Sequence, residues 1–201
     1  MRIFISGTHG IGKTTLAQAL SEYSGMPIIK EHARELLEND FDFNNVCSDL
    51  DDFRGFQQKI LEMQLRDIAQ NKDGIFDRSP IDSWAYVIER LSKDRIVDYR
   101  NWLEDYHKLA FDTMMDCIVQ EEDIVINLMA DYSYSEIENS NRNLSLYYAQ
   151  VISYLISMGY SYIEDRLNRY GIAVNEWLFD RPFSERESWF DSCKPLIGIR
   201  R

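Results

Sequence analysis

The residues most suggestive of chemistry lie near the start of the chain, where Gly7–Thr14 reads G-x-x-x-x-G-K-T without a mismatch. Apolar residues before this run predict a strand, and Thr15–Leu20 predicts a helix. Between a strand and a helix, glycines let backbone N–H groups surround phosphate oxygens, and the helix start adds unpaired N–H donors. The run therefore predicts a phosphate-binding loop, called the P-loop below.

Individual P-loop residues have separate predicted roles. Lys13 is expected to face solvent in the empty loop and to reach the β- and γ-phosphates of ATP, while the Thr14 hydroxyl ligates Mg²⁺. His9 is interpreted as a spacer whose backbone matters more than its ring. The residues predicted to bind the nucleotide are Gly10, Ile11, Gly12, Lys13, Thr14 and Thr15.

A second candidate is Asp77-Arg78-Ser79-Pro80, which follows the apolar pair Ile75-Phe76 and precedes a predicted helix. The Asp77 carboxylate could bind Mg²⁺ through water or orient an attacking oxygen. Arg78 could neutralise phosphate with a bidentate fork that lysine lacks. The alternative is an Asp–Arg pair that only caps the helix. A later Asp180-Arg181-Pro182 is interpreted as structural.

Glu31 and Arg34 form a third candidate, three residues apart on one face of a predicted helix. Glu31 could accept the proton of an acceptor hydroxyl or bind the acceptor's sugar, and Arg34 could hold an acceptor phosphate. An ordinary ion pair at a solvated helix start is the alternative. Gln57 and Gln58, on the next long helix, could read the edge of a nucleobase.

Arg142 lies in a polar stretch before a long predicted helix, within a segment of about residues 130–145 that we interpret as a lid. Because phosphoryl transfer spreads negative charge over the equatorial oxygens, a mobile arginine that closes over them would stabilise the transition state. A surface arginine without such a role is the alternative.

Composition restricts the classes of function. With 22 basic and 34 acidic side chains among 201 residues, the net charge is −12, which disfavours binding of polymeric nucleic acid. The three cysteines are far apart and predict neither a zinc site nor disulfides. No signal peptide or membrane span is predicted, so we expect a cytoplasmic protein without membrane contact. Residues 1–201 are predicted to form one domain.

Strands that alternate with helices predict an α/β fold, with three α/β/α layers around a mostly parallel sheet of five strands. A break at Gly159 is considered within the helical stretch Leu144–Tyr170, and Asp40–Cys47 is predicted to be irregular. The tail after Trp177 is placed only as helix and coil. The strands are predicted at Arg2–Ser6, Pro27–Lys30, Ile75-Phe76, Ile124–Met129 and Ile172–Val174, with Tyr160–Ile163 as an alternative for the fifth.

These motifs, in this order, resemble those of small P-loop nucleoside and nucleotide kinases. The resemblance includes phage-type deoxynucleoside monophosphate kinases and the small AAA-like kinase domains related to ribosylnicotinamide kinase. It implies that Glu31, Arg34, Asp77 and Arg78 frame the phosphoryl acceptor and that Arg142 is a lid arginine. The resemblance rests on Gly7–Thr15, Glu31-His32-Ala33-Arg34, Phe56-Gln57, Asp77–Asp82 and Arg142.

The predicted function is transfer of phosphate from ATP to a (deoxy)nucleoside monophosphate, because Arg34 and Arg78 could offset the acceptor's charge. A nucleoside kinase is the first alternative, since Glu31 is placed as a base for a hydroxyl. A P-loop ATPase or switch acting on a protein partner is the second. The sequence does not identify the base or sugar of the acceptor, and it leaves a homodimer open.

Overall fold

A five-stranded, entirely parallel sheet forms the centre of the computed structural model, which describes residues 1–93, 99–131, 146–173 and 177–198. The strand order is β2-β3-β1-β4-β5, so β1 lies in the middle. The strands are β1 (Arg2–Gly7), β2 (Ile28–Ile29), β3 (Gly74–Asp77), β4 (Ile124–Met129) and β5 (Leu178–Pro182).

Helices cover both faces of this sheet, which confirms the predicted three-layer architecture. They are α1 (Lys13–Ser24), α2 (Ala33–Asn39), α3 (Phe43–Ser48), α4 (Leu50–Gln70), α5 (Pro80–Lys93), α6 (Arg100–Glu121), α7 (Leu146–Asn168) and α8 (Trp189–Gly198). Successive side chains of a strand point to opposite faces. Accordingly Ile3 and Ile5 pack with α1 and α8, whereas Phe4 packs with α4 to α7.

The register of the strands brings the candidate motifs together. Ile5 of β1 pairs with Asp77 of β3, and Ile29 of β2 pairs with Phe76. The strands are parallel, so their carboxyl ends meet at one edge of the sheet, where ligands of such folds bind. Glu31, the P-loop and Arg78 all follow these strand ends.

The fifth strand is the largest error of the sequence prediction. β5 is Leu178–Pro182, whereas Ile172 and Ala173 are not in a strand and Val174 lies outside the described residues. The alternative, Tyr160–Ile163, is part of α7. β5 was missed because it is an edge strand paired with β4, where Asp180, Arg181 and Pro182 are tolerated.

The remainder of the tail also has more structure than predicted. A short 3-10 helix (Phe183–Ser188) follows β5, and α8 then packs in the same core as α1. The stretch predicted to be irregular contains α3, whose first turn is capped by the Asp42 side chain. None of the described helices is both long and apolar enough to cross a membrane.

Helix α7 continues through Gly159 without the considered break, because this glycine serves a helix contact. A Cβ atom at Gly159 would lie 2.6 Å from Cγ2 of the buried Ile81 and 3.3 Å from the Trp84 ring. Helices α5 and α7 can therefore approach each other only because residue 159 lacks a side chain.

We predict that Gly159→Ala lowers the free energy of unfolding by about 1–3 kcal/mol, since the added methyl group overpacks the α5–α7 contact. Gly55→Ala is the matched control. Its Cβ would meet Phe41 at an ordinary 3.6 Å, so alanine should stabilise α4 by about 0.5–1 kcal/mol. Urea denaturation of both variants measures the difference. Equal stabilisation by the two substitutions would contradict the packing account.

Candidate active site

The P-loop begins at a glycine that tolerates no side chain. Gly7 has φ 146°, and a Cβ on it would lie 2.7 Å from the backbone oxygen of Leu128. Gly12, just before α1, has φ 110°, which is also strained for other residues. Ile11 is buried in the core beside α1 and anchors the middle of the loop. The loop is thus shaped by the neighbouring strand and by the core.

Lys13 is buried, and the expectation that it faces solvent is wrong. Its Nζ donates hydrogen bonds to the carbonyl oxygens of Gly7 (2.9 Å) and Thr8 (2.8 Å). Burial and the nearby Arg78 guanidinium lower the pKa of Lys13 to about 7, despite the opposing effect of neighbouring carboxylates. The side chain is therefore pre-positioned in the loop, but its charge is only partly retained at neutral pH.

Thr14 and Asp77, the two predicted metal ligands, are in contact. The Thr14 hydroxyl donates a hydrogen bond of 2.5 Å to Oδ2 of Asp77. Asp77 is buried at the end of β3, while Thr14 and Thr15 are exposed in the first turn of α1. Two oxygen groups from separate elements thus meet where the phosphates of a bound nucleotide would lie.

The Arg78 guanidinium contacts three side chains of the site. Its Nε donates to Oε2 of Glu31 at 2.5 Å, its Nη2 lies 2.9 Å from Nδ1 of His9, and its Nη1 lies 3.5 Å from the Tyr86 hydroxyl. The backbone of Arg78 has φ 108°, an unfavourable conformation for a residue with a side chain. The interpretation of His9 as a mere spacer is wrong, because its ring also packs against Tyr86.

The Glu31–Arg78 pair is held in its ionised form. Burial alone would raise the pKa of Glu31, but Arg78, Lys13 and Arg34 outweigh that effect and lower it. Burial would likewise lower the pKa of Arg78, yet the hydroxyl of Tyr86 and the carboxylates of Glu31 and Asp82 raise it. At neutral pH the site therefore contains an ionised carboxylate that can accept a hydrogen bond.

A buried network beneath the P-loop was not predicted as part of the site. The Asp82 carboxylate, which is fully buried, accepts hydrogen bonds from the backbone N–H groups of Gly7 and Ser79, both at 2.9 Å. It also accepts from the hydroxyls of Ser6 (2.6 Å) and Ser79 (2.9 Å). Tyr160 of α7 bonds to the same two hydroxyls.

The sequence did contain a signal for Asp82. Ser79-Pro80-Ile81-Asp82 has the S-x-x-D spacing of a capping box, in which the acidic side chain accepts a hydrogen bond from the backbone N–H of the residue that caps the helix. The bond from the Ser79 N–H to Asp82 has this arrangement. Nothing in the pattern indicated that the same carboxylate would also hold Gly7.

Three other predicted residues lie around this centre or beyond it. Arg34 is exposed on α2 and lines an open groove of about 510 Å³ together with the acidic residues Glu31, Glu35, Glu38 and Asp67. Gln57 is buried on α4, and its Oε1 has no hydrogen-bond partner among the described residues. Arg142 lies outside the described residues, so its predicted lid role stays a prediction.

Gln57 is linked to the site through its own helix. Gln64, seven residues later on the same face of α4, contacts the Ser79 carbonyl oxygen at 3.4 Å and accepts a bond of 3.0 Å from Ser83. Gln57 therefore lies two helical turns, about 10 Å along the helix axis, from Gln64, which contacts the turn that carries Arg78.

Comparison with known proteins gives a family and a fold. A family model described as AAA domain matches residues 2–169. Deoxyadenosine kinase from M. mycoides with bound dCTP matches with a TM-score of 0.67 at 20% identity, over 98% of this chain and 99% of that one. Its structure with bound dATP matches with a TM-score of 0.62 at 18% identity, over 98% of this chain and 100% of that one. Its structure with products dCMP and a flexible dCDP matches with a TM-score of 0.63 at 20% identity, over 100% of both chains. No curated protein matches the sequence.

We predict that nucleotide binding takes up a proton. Above pH 7 the empty loop holds a mostly neutral Lys13, and phosphate oxygens favour its charged form, so binding raises its pKa. Affinity should accordingly fall as the pH rises above 7. Calorimetry at about pH 8, in two buffers of different ionisation enthalpy, measures the uptake.

Lys13→Met is the control for this experiment, because methionine fills the buried space without a titratable group. It should keep the thermal stability, bind ATP at least about tenfold more weakly and show no proton uptake at this site. Undiminished uptake in Lys13→Met would assign the proton to another group.

Proposed function

We propose that this chain, which belongs to the AAA domain family and has the fold of a deoxyadenosine kinase, transfers the γ-phosphoryl group of ATP to a hydroxyl of a deoxynucleoside. The observation that carries the proposal is the ionised Glu31 carboxylate, which Arg78 holds at the edge of the P-loop. A carboxylate in this place is suited to accept the proton of an attacking hydroxyl.

The chemistry is divided among few side chains. Glu31 orients the acceptor hydroxyl and takes its proton as the oxygen attacks the γ-phosphorus. Lys13, charged once phosphate is bound, and the permanently charged Arg78 stabilise the negative charge that spreads over the transferred group. Because the strained backbone of Arg78 is held by its neighbours, the guanidinium needs little reorganisation during the reaction.

The distribution of charge favours a neutral nucleoside over the monophosphate that the sequence suggested first. Arg78 is already engaged by Glu31, His9 and Tyr86, so it has less to offer a second phosphate. The acidic side chains of the groove beside Arg34 would repel a monophosphate dianion.

A monophosphate acceptor is the second candidate, and one observation favours it. Arg34 is exposed, and among the described residues it forms no ion pair, so it is free to bind an acceptor phosphate. An ATPase or switch that acts on a protein partner is the third, and it requires no small-molecule acceptor.

Gln57 supports the presence of a base pocket. A buried amide oxygen without a hydrogen-bond partner is costly in an empty protein, and a nucleobase amino group would satisfy it. The Gln57 amide has an accepting oxygen and a donating NH₂ group, so it can both accept a hydrogen bond from a base edge and donate one to it.

Thr14 and Asp77 are the residues that would hold Mg²⁺. Mg²⁺ binds through few protein oxygens together with substrate phosphates, and this hydroxyl–carboxylate pair fits that donor set. When bound with ATP, Mg²⁺ would neutralise part of the charge on the β- and γ-phosphates.

The test is transfer of label from γ-labelled ATP to a panel of nucleosides and monophosphates. Glu31→Gln should lower kcat for nucleosides by about 100-fold or more, because the base is lost, with little change in the ATP KM. Glu35→Gln, an exposed carboxylate in the same groove, is the matched control and should retain activity. Label in monophosphates only would support the second candidate, and label only in free phosphate would support the third.

Gln57→Leu should raise the nucleoside KM by about tenfold while leaving stability unchanged or higher, since it removes a buried polar group without a partner. The adjacent Gln58→Leu is the control, because Gln58 accepts a bond from Trp102 instead. Steady-state kinetics and thermal unfolding of both variants separate the roles. An unchanged nucleoside KM in Gln57→Leu would contradict the base pocket.

A further inference from the structure

The ring of His9 makes contacts that a phosphate-binding loop does not need. Phosphate is held by the backbone N–H groups of such loops, so the side chain at this position has no required role. Here, however, Nδ1 of His9 lies 2.9 Å from Nη2 of Arg78. His9, a residue of the P-loop, thus contacts Arg78, the side chain that holds Glu31 where the phosphoryl acceptor would bind.

The chemistry of this contact determines the protonation state of His9. A guanidinium group only donates hydrogen bonds, so Nδ1 of His9 must be the acceptor. The ring is then neutral and carries its proton on Nε2. A protonated imidazole, or the other tautomer, would place two donors against each other.

Tyr86 contacts both His9 and Arg78. Its ring centroid lies 4.7 Å from that of His9, and Cζ of Arg78 lies 5.4 Å from the Tyr86 ring. Burial raises the pKa of Tyr86, so the phenol stays neutral beside the guanidinium. The Arg78 side chain is therefore fixed at three nitrogens, by Glu31, by His9 and by the Tyr86 hydroxyl.

We propose that His9 is a positioning residue that links the P-loop to the base Glu31 through Arg78. The inference rests on the proposed function, because it assigns His9 a role in presenting that base. The contact with His9 fixes the rotation of the Arg78 guanidinium group. The guanidinium group in turn fixes the position of the Glu31 carboxylate. The orientation of the base on the acceptor side consequently depends on the conformation of the loop that binds ATP.

Two substitutions of similar shape test the contact. Asparagine places its Oδ1 where histidine has Nδ1, so His9→Asn retains an acceptor for Arg78. Leucine fills the same space without an acceptor. Loss of a hydrogen bond to a charged group corresponds to about a tenfold effect or more. His9→Leu should therefore lower kcat for nucleosides by about tenfold with a nearly unchanged ATP KM, and His9→Asn should remain close to the wild type.

The same pair is then measured in the Glu31→Gln background. If His9 acts through Glu31, His9→Leu should have no further effect once the carboxylate is gone, because the two changes remove the same function. Thermal unfolding of His9→Leu should match that of His9→Asn. Multiplicative losses in the double variant, or equal losses in the leucine and asparagine variants, would overturn the proposal.

Nitrogen NMR of the unliganded protein gives a readout that is independent of activity. The His9 signals are identified by their loss in His9→Leu, since the chain has only three histidines. At neutral pH the expected state is an unprotonated Nδ1 and a protonated Nε2. A proton on Nδ1 would exclude the contact with Arg78 and overturn the proposal.

The kinetic outcomes separate this inference from the proposed function. If the wild type phosphorylates nucleosides, Glu31→Gln abolishes the transfer and His9→Leu does not reduce it, only the role of His9 fails. If the wild type transfers label to no nucleoside, the proposed function fails and the role of His9 fails with it.

Discussion

The site depends on one buried carboxylate, that of Asp82. It receives the N–H of Gly7 at the end of β1 and the N–H of Ser79 after the end of β3, along with two hydroxyls. Each of these donors would be costly to bury without a partner. Because one carboxylate satisfies all four, the start of the P-loop and the turn that carries Arg78 are held in a fixed relation.

A buried lysine and a partly buried arginine beside this carboxylate explain much of the remaining geometry. A lysine can reduce the cost of burial by losing its proton, and the lowered pKa of Lys13 reflects this. An arginine cannot do so, because its intrinsic pKa is too high. Arg78 is therefore surrounded by a carboxylate, an imidazole and a phenol, and the strained backbone at this residue is tolerated because these contacts favour it.

The central strands were predictable from local sequence patterns, whereas the edge strand β5 and the helix contact at Gly159 were not. β4 was predicted with its observed bounds, because it is an apolar run interrupted only by Asn127. β5 was missed, and a break at Gly159 was considered within the predicted α7, for a common reason. The polar residues of β5 are accepted by an edge strand, and Gly159 is required by the approach of Ile81, so both depend on neighbours distant in sequence. The family resemblance is confirmed by the AAA domain match and by the fold.

The sequence by itself determined the P-loop, the parallel α/β architecture and the set of charged residues at the strand ends, because strand, glycine turn and helix are local in the chain. Only the tertiary structure decided how those charges are used. Glu31 and Arg78 are 47 residues apart and Arg78 and His9 are 69 apart, and no sequence pattern indicates that these side chains meet. These side chains meet because parallel strands place their carboxyl ends side by side. They pair because a charged group that is withdrawn from water needs nearby hydrogen-bonding or charged partners.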